Sequence, residues 1–184
     1  MANTDAGNFG EEAVRDELRK LKGNLISGFI RSNNICYYGK NFQIDFLLFV
    51  PSIGLVLLEV KNWKGTVKAT SEDIWVQEIG TYKNELKNAS LQSLRTAGLL
   101  LHILEKGKLN KWPIRPVVVF VNQNAKIQKS TIRKPQTDII LKTMIGSWIE
   151  ENSLNEIYYK FTNDEFTKVK EIICEYTKEY NENS

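Results

Sequence analysis

Three charged residues, Asp45, Glu59 and Lys61, stand in a stretch that is otherwise almost entirely apolar. From Gln43 to Lys61 the chain reads Gln-Ile-Asp-Phe-Leu-Leu-Phe-Val-Pro-Ser-Ile-Gly-Leu-Val-Leu-Leu-Glu-Val-Lys. Runs rich in Ile, Val, Phe and Leu flank the Pro51-Ser52-Ile53 break, the pattern of two strands joined by a tight turn. Strands this apolar are expected to be buried on both faces. A hairpin closing around Ser52, with Val50 facing Gly54, places Asp45 opposite Glu59 and Gln43 opposite Lys61. Opposed residues have Cβ atoms ~4.5–5.5 Å apart, so all four polar side chains would share one face, and a bulge would slip them by only one residue.

Two carboxylates about 5 Å apart repel by ~3 kcal/mol at an effective dielectric near 20. Such a pair needs a cation between its members, or one acid must stay protonated. Lys61 supplies one positive charge. A hard divalent cation with oxygen ligands would supply the rest, and Mg²⁺ suits a place where one or two carboxylates meet a phosphate. The competing reading is a buried Asp-Glu-Lys network that only fixes register; buried ion pairs stabilise weakly, and here an acid is left over.

The flanking elements must bring these groups together. Gly7-Asn8-Phe9-Gly10 opens a helix with Asn8 as its cap, and Val14, Leu18 and Leu21 mark the buried face. Glu11 falls on that stripe and Glu12 does not, so Glu11 is an inward acid in a first turn, where the helix dipole tolerates negative charge. An exposed first-turn glutamate would fit the pattern equally well. Leu25 to Ile30 and Ile35 to Tyr38 read as a strand and a shorter arm with Asn33-Asn34 as a turn. Beyond the hairpin, Thr66 to Ala69 and Ile74 to Ile79 read as a second, more exposed pair of strands, with Trp63 and Trp75 as packing residues.

A helix is predicted from about Asn88 to Lys106, with Leu91, Leu94, Gly98 and Leu101 on a buried stripe that Leu99, Leu100, Ile103 and Leu104 widen, and with Gln92 on its first turns. Val117 to Val121 is a two-sided apolar strand. Asn122 to Pro135 reads as a basic loop, Asp138 to Leu141 as an edge strand and Lys142 to Asn152 as a helix. Thr162-Asn163-Asp164-Glu165 has the form of a capping box before a final helix.

The chain has 184 residues, 42% hydrophobic and 26% charged, with net charge +3. This is the balance of one ordinary globular domain. No apolar run reaches a membrane span and the amino terminus lacks the form of a signal peptide, so a cytoplasmic protein with no membrane partner is expected. Cys36 and Cys174 are too few and too far apart for a metal knuckle and read as reduced thiols. The single histidine, His102, sits in an apolar helical run and is given no catalytic role. Bases dominate from Lys106 to Lys134 and acids dominate from Glu150 onward. Lys108, Lys111, Lys126, Lys129 and Arg133 are therefore candidate nucleic-acid contacts, a solvated basic surface being the alternative.

The order helix, strands, hairpin, helix, strand, with Asp on one arm and Glu-x-Lys on the other, resembles the PD-(D/E)xK nuclease superfamily. Within it, Gly7-Asn8-Phe9-Gly10-Glu11, Gln43-Ile44-Asp45, Gly54, Glu59-Val60-Lys61-Asn62, Gly65, Trp75, Asn88 and Gln92 resemble the nuclease-related domain, NERD. The likeness is clearest over about residues 7–122, with 123–184 completing one domain. Asn88-Ala89 departs from the Asn-Pro expected of the family. The resemblance implies an α/β fold with a restriction-endonuclease-like αβββαβ core, its central mixed sheet flanked by helices.

It also implies metal-dependent hydrolysis of phosphodiester bonds, in DNA ahead of RNA. Asp45, Glu59 and the Val60 carbonyl would hold Mg²⁺ or Mn²⁺, with Glu11 reaching it directly or through water. Lys61 would steady the attacking water or the charge growing on phosphate oxygens, with Gln43 and Gln92 orienting water or a ligand. A homodimer, or a helicase- or kinase-type partner, is compatible with this reading. So are a catalytically inactive module that binds nucleic acid or a protein, and a structural domain with an internal ion-pair network.

Overall fold

The computed structural model describes residues 4–109, 112–153 and 161–177. Its elements run α1 (Thr4–Leu21), β1 (Gly28–Tyr37), β2 (Lys40–Val50), β3 (Gly54–Lys61), β4 (Gly65–Ala69), β5 (Ile74–Ile79), β6 (Tyr82–Lys87), α2 (Ala89–Lys106), β7 (Ile114–Phe120), β8 (Ala125–Lys129), β9 (Asp138–Leu141), α3 (Ile145–Ser153) and α4 (Asn163–Tyr176). A single 3₁₀ turn, Lys142–Met144, leads into α3.

Five strands form the main sheet in the order β1-β2-β3-β7-β9. β1, β2 and β3 are antiparallel, and β7 and β9 continue parallel to β3. β3 is thus the middle strand, which explains a sequence apolar on both faces. Val56 and Leu58 pack towards α1 and α3 with Val14, Leu18 and Ile149. Leu55 and Leu57 pack towards α2 and α4 with Leu100, Ile103 and Phe166. By the same alternation Glu59 and Lys61 fall on the α2 side.

The hairpin turn lies at Pro51-Ser52-Ile53, with Val50 paired to Gly54. Gly54 has φ +107°, and a Cβ there would lie 2.8 Å from Pro113 Cγ, so glycine is needed on both counts. The expected pairing holds from Val50–Gly54 to Phe46–Leu58. It does not continue as a ladder to Asp45–Glu59. The β1–β2 register shifts between Ile30 and Ser32, beside the Ser32–Ile44 pair. Ile44 packs with Leu47 and Phe49 although strict alternation would place it with Phe46. An extra residue has been accommodated, and the face presented changes at Asp45.

A smaller sheet, β6-β5-β4-β8, packs through Val67, Ala69 and Trp75 onto Val118 and Phe120. Trp63 rests edge-on against Trp75 and Phe120. Two of its strands depart from the sequence reading: β6 is mostly polar, with Leu86 alone packed on this core, and β8 lies in the stretch expected to be loop.

Other departures have local causes. α1 begins at Thr4, so Asn8 lies within the helix instead of capping it. β1 runs through Asn33-Asn34 as one strand because Asn34 adopts φ 61° at an irregularity, not a turn. Leu94 and Leu101 of α2 are exposed, and its buried face is Ser90, Ser93, Ala97, Leu100 and Leu104. Small residues there let the helix approach the sheet closely. Among the described residues no helix is long and apolar enough to cross a membrane.

Candidate active site

The site is built where β2 leaves β3. Past Phe46–Leu58 the strands no longer pair, and the Asp45 side chain takes over: Oδ2 accepts the backbone N–H of Val60 at 2.8 Å. One residue earlier on β3, Glu59 is only 6% exposed. Lys61 Nζ donates to Glu59 Oε1 at 2.7 Å and to Gln92 Oε1, on the first turns of α2, at 3.2 Å. It also lies 5.5 Å from the Trp63 ring centroid. Glu59, Lys61, Asp45 and the α2 glutamine therefore meet, but through side-chain bonds past the end of the β2–β3 ladder and not through the Asp45–Glu59 and Gln43–Lys61 pairing expected of the hairpin.

Glu11 approaches from the other face of the sheet. Gly10, buried on α1, lies against Val121, Asn62 and Val60 at the end of β3, where a Cβ would come within 3.1 Å of Val121. That close approach sets Glu11 beside the sheet end, on the inward stripe of Val14 and Leu18. Its carboxylate meets Arg31 of β1, Oε2 lying 2.6 Å from Nη2. The approach is poorly aligned, for Oε2 is buried and has no hydrogen-bond partner. Arg31 had no distinguishing signal in the sequence; a lone charge on a strand shows its purpose only once the opposing helix is in place.

Burial dominates the electrostatics. Desolvation lifts the Glu59 carboxyl to about 7; the Lys61 ammonium opposes this, and Asp45 and Glu11 reinforce it. Desolvation also raises Asp45, against the Val60 N–H and the charges of Lys61 and Arg31. Glu11 is raised by burial and by Asp45, while Arg31 pulls it down. Three acids thus share one field with two cations, and each pays for its desolvation in reluctance to ionise.

Glu59 and Asp45 sit in the wall of a groove of about 660 Å³ that also holds Gln43 and Gln92. Gln43 is exposed there. Among the described residues no three His, Cys, Asp or Glu side chains cluster closely enough to hold a metal together. The grouping is therefore a pair, Asp45 and Glu59, with Glu11 set back against Arg31.

The candidate nucleic-acid contacts do not form one patch. Lys108 lies beyond the far end of α2, whose last residue is about 21 Å along the helix from Gln92. Lys126 and Lys129 are exposed on β8, and Arg133 is paired with Glu72 at 2.7 Å. Lys111 lies outside the described residues. His102 is exposed on α2, 3.3 Å from Glu105, and both cysteines are free thiols.

A family model described as nuclease-related domain, NERD, matches residues 6–121, well over half of the chain. The chain belongs to the NERD family. No curated protein and no solved structure matches it. The matched NERD segment runs from α1 to just beyond β7 and so contains Glu11, Asp45, Glu59, Lys61 and Gln92. Its architecture, a mixed sheet flanked by helices in a single α/β domain, is consistent with a restriction-endonuclease-like nuclease fold.

Proposed function

We propose that this NERD domain is a metal-dependent nuclease that hydrolyses phosphodiester bonds, in DNA ahead of RNA, at the Asp45–Glu59–Lys61 site. One observation carries the reading: two desolvated carboxylates, Asp45 and Glu59, line one groove and lie in the field of a single lysine ammonium, which is paired with only one of them. The donor set suits Mg²⁺ or Mn²⁺, which accept one or two carboxylates, a backbone carbonyl and substrate phosphate oxygens. Asp45 and Glu59, with the Val60 carbonyl, would hold the ion; Glu11, set back against Arg31, would take an outer role, through water. When bound, the cation supplies charge to phosphate oxygens and acidifies water.

The chain's own groups do the remainder. The Val60 N–H fixes the Asp45 carboxylate, so its orientation costs no reorganisation on binding. Lys61 is held by Glu59 and Gln92, both of which line the groove, so its ammonium can stabilise charge developing on the scissile phosphate. Gln92 is a positioning residue for Lys61, and Gln43 is placed to hydrogen-bond a water or a phosphate oxygen.

The Lys61–Glu59 bridge also favours a second reading, an ion-pair network in a binding module without catalysis. Incubating labelled DNA and RNA with the protein and its Lys61→Ala form, in Mg²⁺, Mn²⁺ or chelator, separates the two. Turnover that needs metal and falls at least about a hundredfold in the variant supports catalysis. Equal cleavage by both forms would point to a contaminant, and salt-sensitive binding without turnover would favour the module.

A further inference from the structure

Beyond the acids, the groove changes character. Gln92, Arg95 and Leu99 follow one another along α2, spanning about 10 Å of helix. Phe42 of β2 and Leu99 are half-buried, Ile74 of β5 is 45% exposed, and Lys87 and Arg95 are exposed. Lys87 and Arg95 form no ion pair among the described residues. The groove's lining thus combines apolar surface, two cations without an ion pair among the described residues, and the Asp45 and Glu59 carboxylates.

From this combination we infer that the groove takes single-stranded nucleic acid, an unpaired end or flap, and threads it towards Asp45 and Glu59. The inference rests on the nuclease reading and narrows its substrate. A duplex keeps its bases stacked and offers a protein its phosphates and groove edges, and a channel of this volume is too small to enclose one. Unpaired bases bring exposed π-faces that pack on Phe42, Leu99 and Ile74 while Lys87 and Arg95 meet the backbone, the combination by which single strands are held without sequence preference. The first turn of α2, which borders the groove, contains no acid to repel phosphate. Asp73 at the rim offsets part of the positive charge but leaves both cations unpaired.

The test is fluorescence anisotropy in chelator, which prevents cleavage, with a labelled oligonucleotide, single-stranded or annealed to its complement. The single strand should bind about tenfold more tightly than the duplex, and Phe42→Ala and Arg95→Glu should each remove most of that preference. Arg95 is exposed, so its variant reports on binding even if Phe42→Ala perturbs folding. Equal affinity for the two forms, unchanged preference in Arg95→Glu, or no binding of any oligonucleotide at low salt would overturn the inference. Cleavage with Mn²⁺ by wild type and Asp45→Asn is scored separately. A preference without metal-dependent cleavage sinks the nuclease reading alone; cleavage without preference sinks this inference alone.

Discussion

The Asp45 carboxylate occupies the place of a backbone acceptor: at the point where β2 stops pairing with β3, its Oδ2 receives the Val60 N–H at 2.8 Å. A buried donor that the parting of strands would orphan is satisfied, and an acid is locked beside Glu59. Asparagine can accept the same bond without the charge. Asp45→Asn should therefore leave the metal-free fold intact, with a melting temperature equal to or above wild type, while metal-dependent cleavage falls by at least about a hundredfold. Asp45→Ala should lose activity and also about 1–3 kcal/mol of stability, because the Val60 N–H is left unpaired. Melting curves and cleavage assays on the two variants check both halves.

The same burial fixes a pH dependence. The folded protein holds Glu59 at about 7 and raises Asp45 and Glu11, whereas the unfolded chain titrates in the ordinary carboxylate range. Between those ranges the folded state binds more protons than the unfolded one, so stability falls as pH rises. Through these acids the metal-free protein should gain most stability below about pH 4 and lose a few kcal/mol by about pH 8. On the proposed reading a divalent cation is held by the ionised carboxylates, so Mn²⁺ should raise the melting temperature more at about pH 8 than at about pH 5. Urea titrations in chelator at several pH values would expose the opposite trend if the acids are not buried as described.

The centre of this fold was readable because its signals are local and redundant. The Val50–Gly54 closure, the two-sided apolar strands and the Thr162–Glu165 capping box each follow from neighbouring residues, and each is present. What escaped the sequence depends on distant partners. β6 has only Leu86 turned to the core, β8 alternates for just two positions, Ala125 and Ile127, and both strands exist because β5 and β4 offer them edges. The leucine stripe of α2 misled because Ser93 and Ala97, not Leu94 and Leu101, match the close contact with the sheet. The face change at Asp45 is the bulge that a sequence allows but cannot locate. Arg31, the cation nearest Glu11, is invisible until α1 is laid across the sheet.

Arg31 therefore offers a separate check on the outer part of the site. Its side chain is 34% exposed, against 14% for Glu11. Arg31→Ala leaves a buried carboxylate without its cation and should cost about 1–3 kcal/mol near neutral pH. Glu11→Gln should recover most of that loss, and a double-mutant cycle should give a coupling above about 0.5 kcal/mol. The cost of Arg31→Ala should shrink in acid, where Glu11 is protonated. Additive single effects in the cycle would show that the two residues act independently.

Asn88 joins the groove to the second sheet, and its amide is used on both sides. Its Oδ1 caps α2 by accepting the Leu91 N–H at 3.0 Å, and its Nδ2 lies 3.2 Å from Thr70 O, 2.7 Å from Glu72 O and 3.2 Å from Gln136 Oε1. Aspartate caps helices as well as asparagine does, so a residue wanted only as a cap would tolerate Asn88→Asp. Here the carboxylate would face three acceptors at a position only 3% exposed. Asn88→Asp should therefore destabilise the domain by about 2–4 kcal/mol, no less than Asn88→Ala, and near-neutral behaviour in urea denaturation would reduce Asn88 to its capping role. Because α2 starts at this residue and carries Gln92 one turn later, both variants should also loosen the hold on Lys61 and lower cleavage under conditions where the protein remains folded.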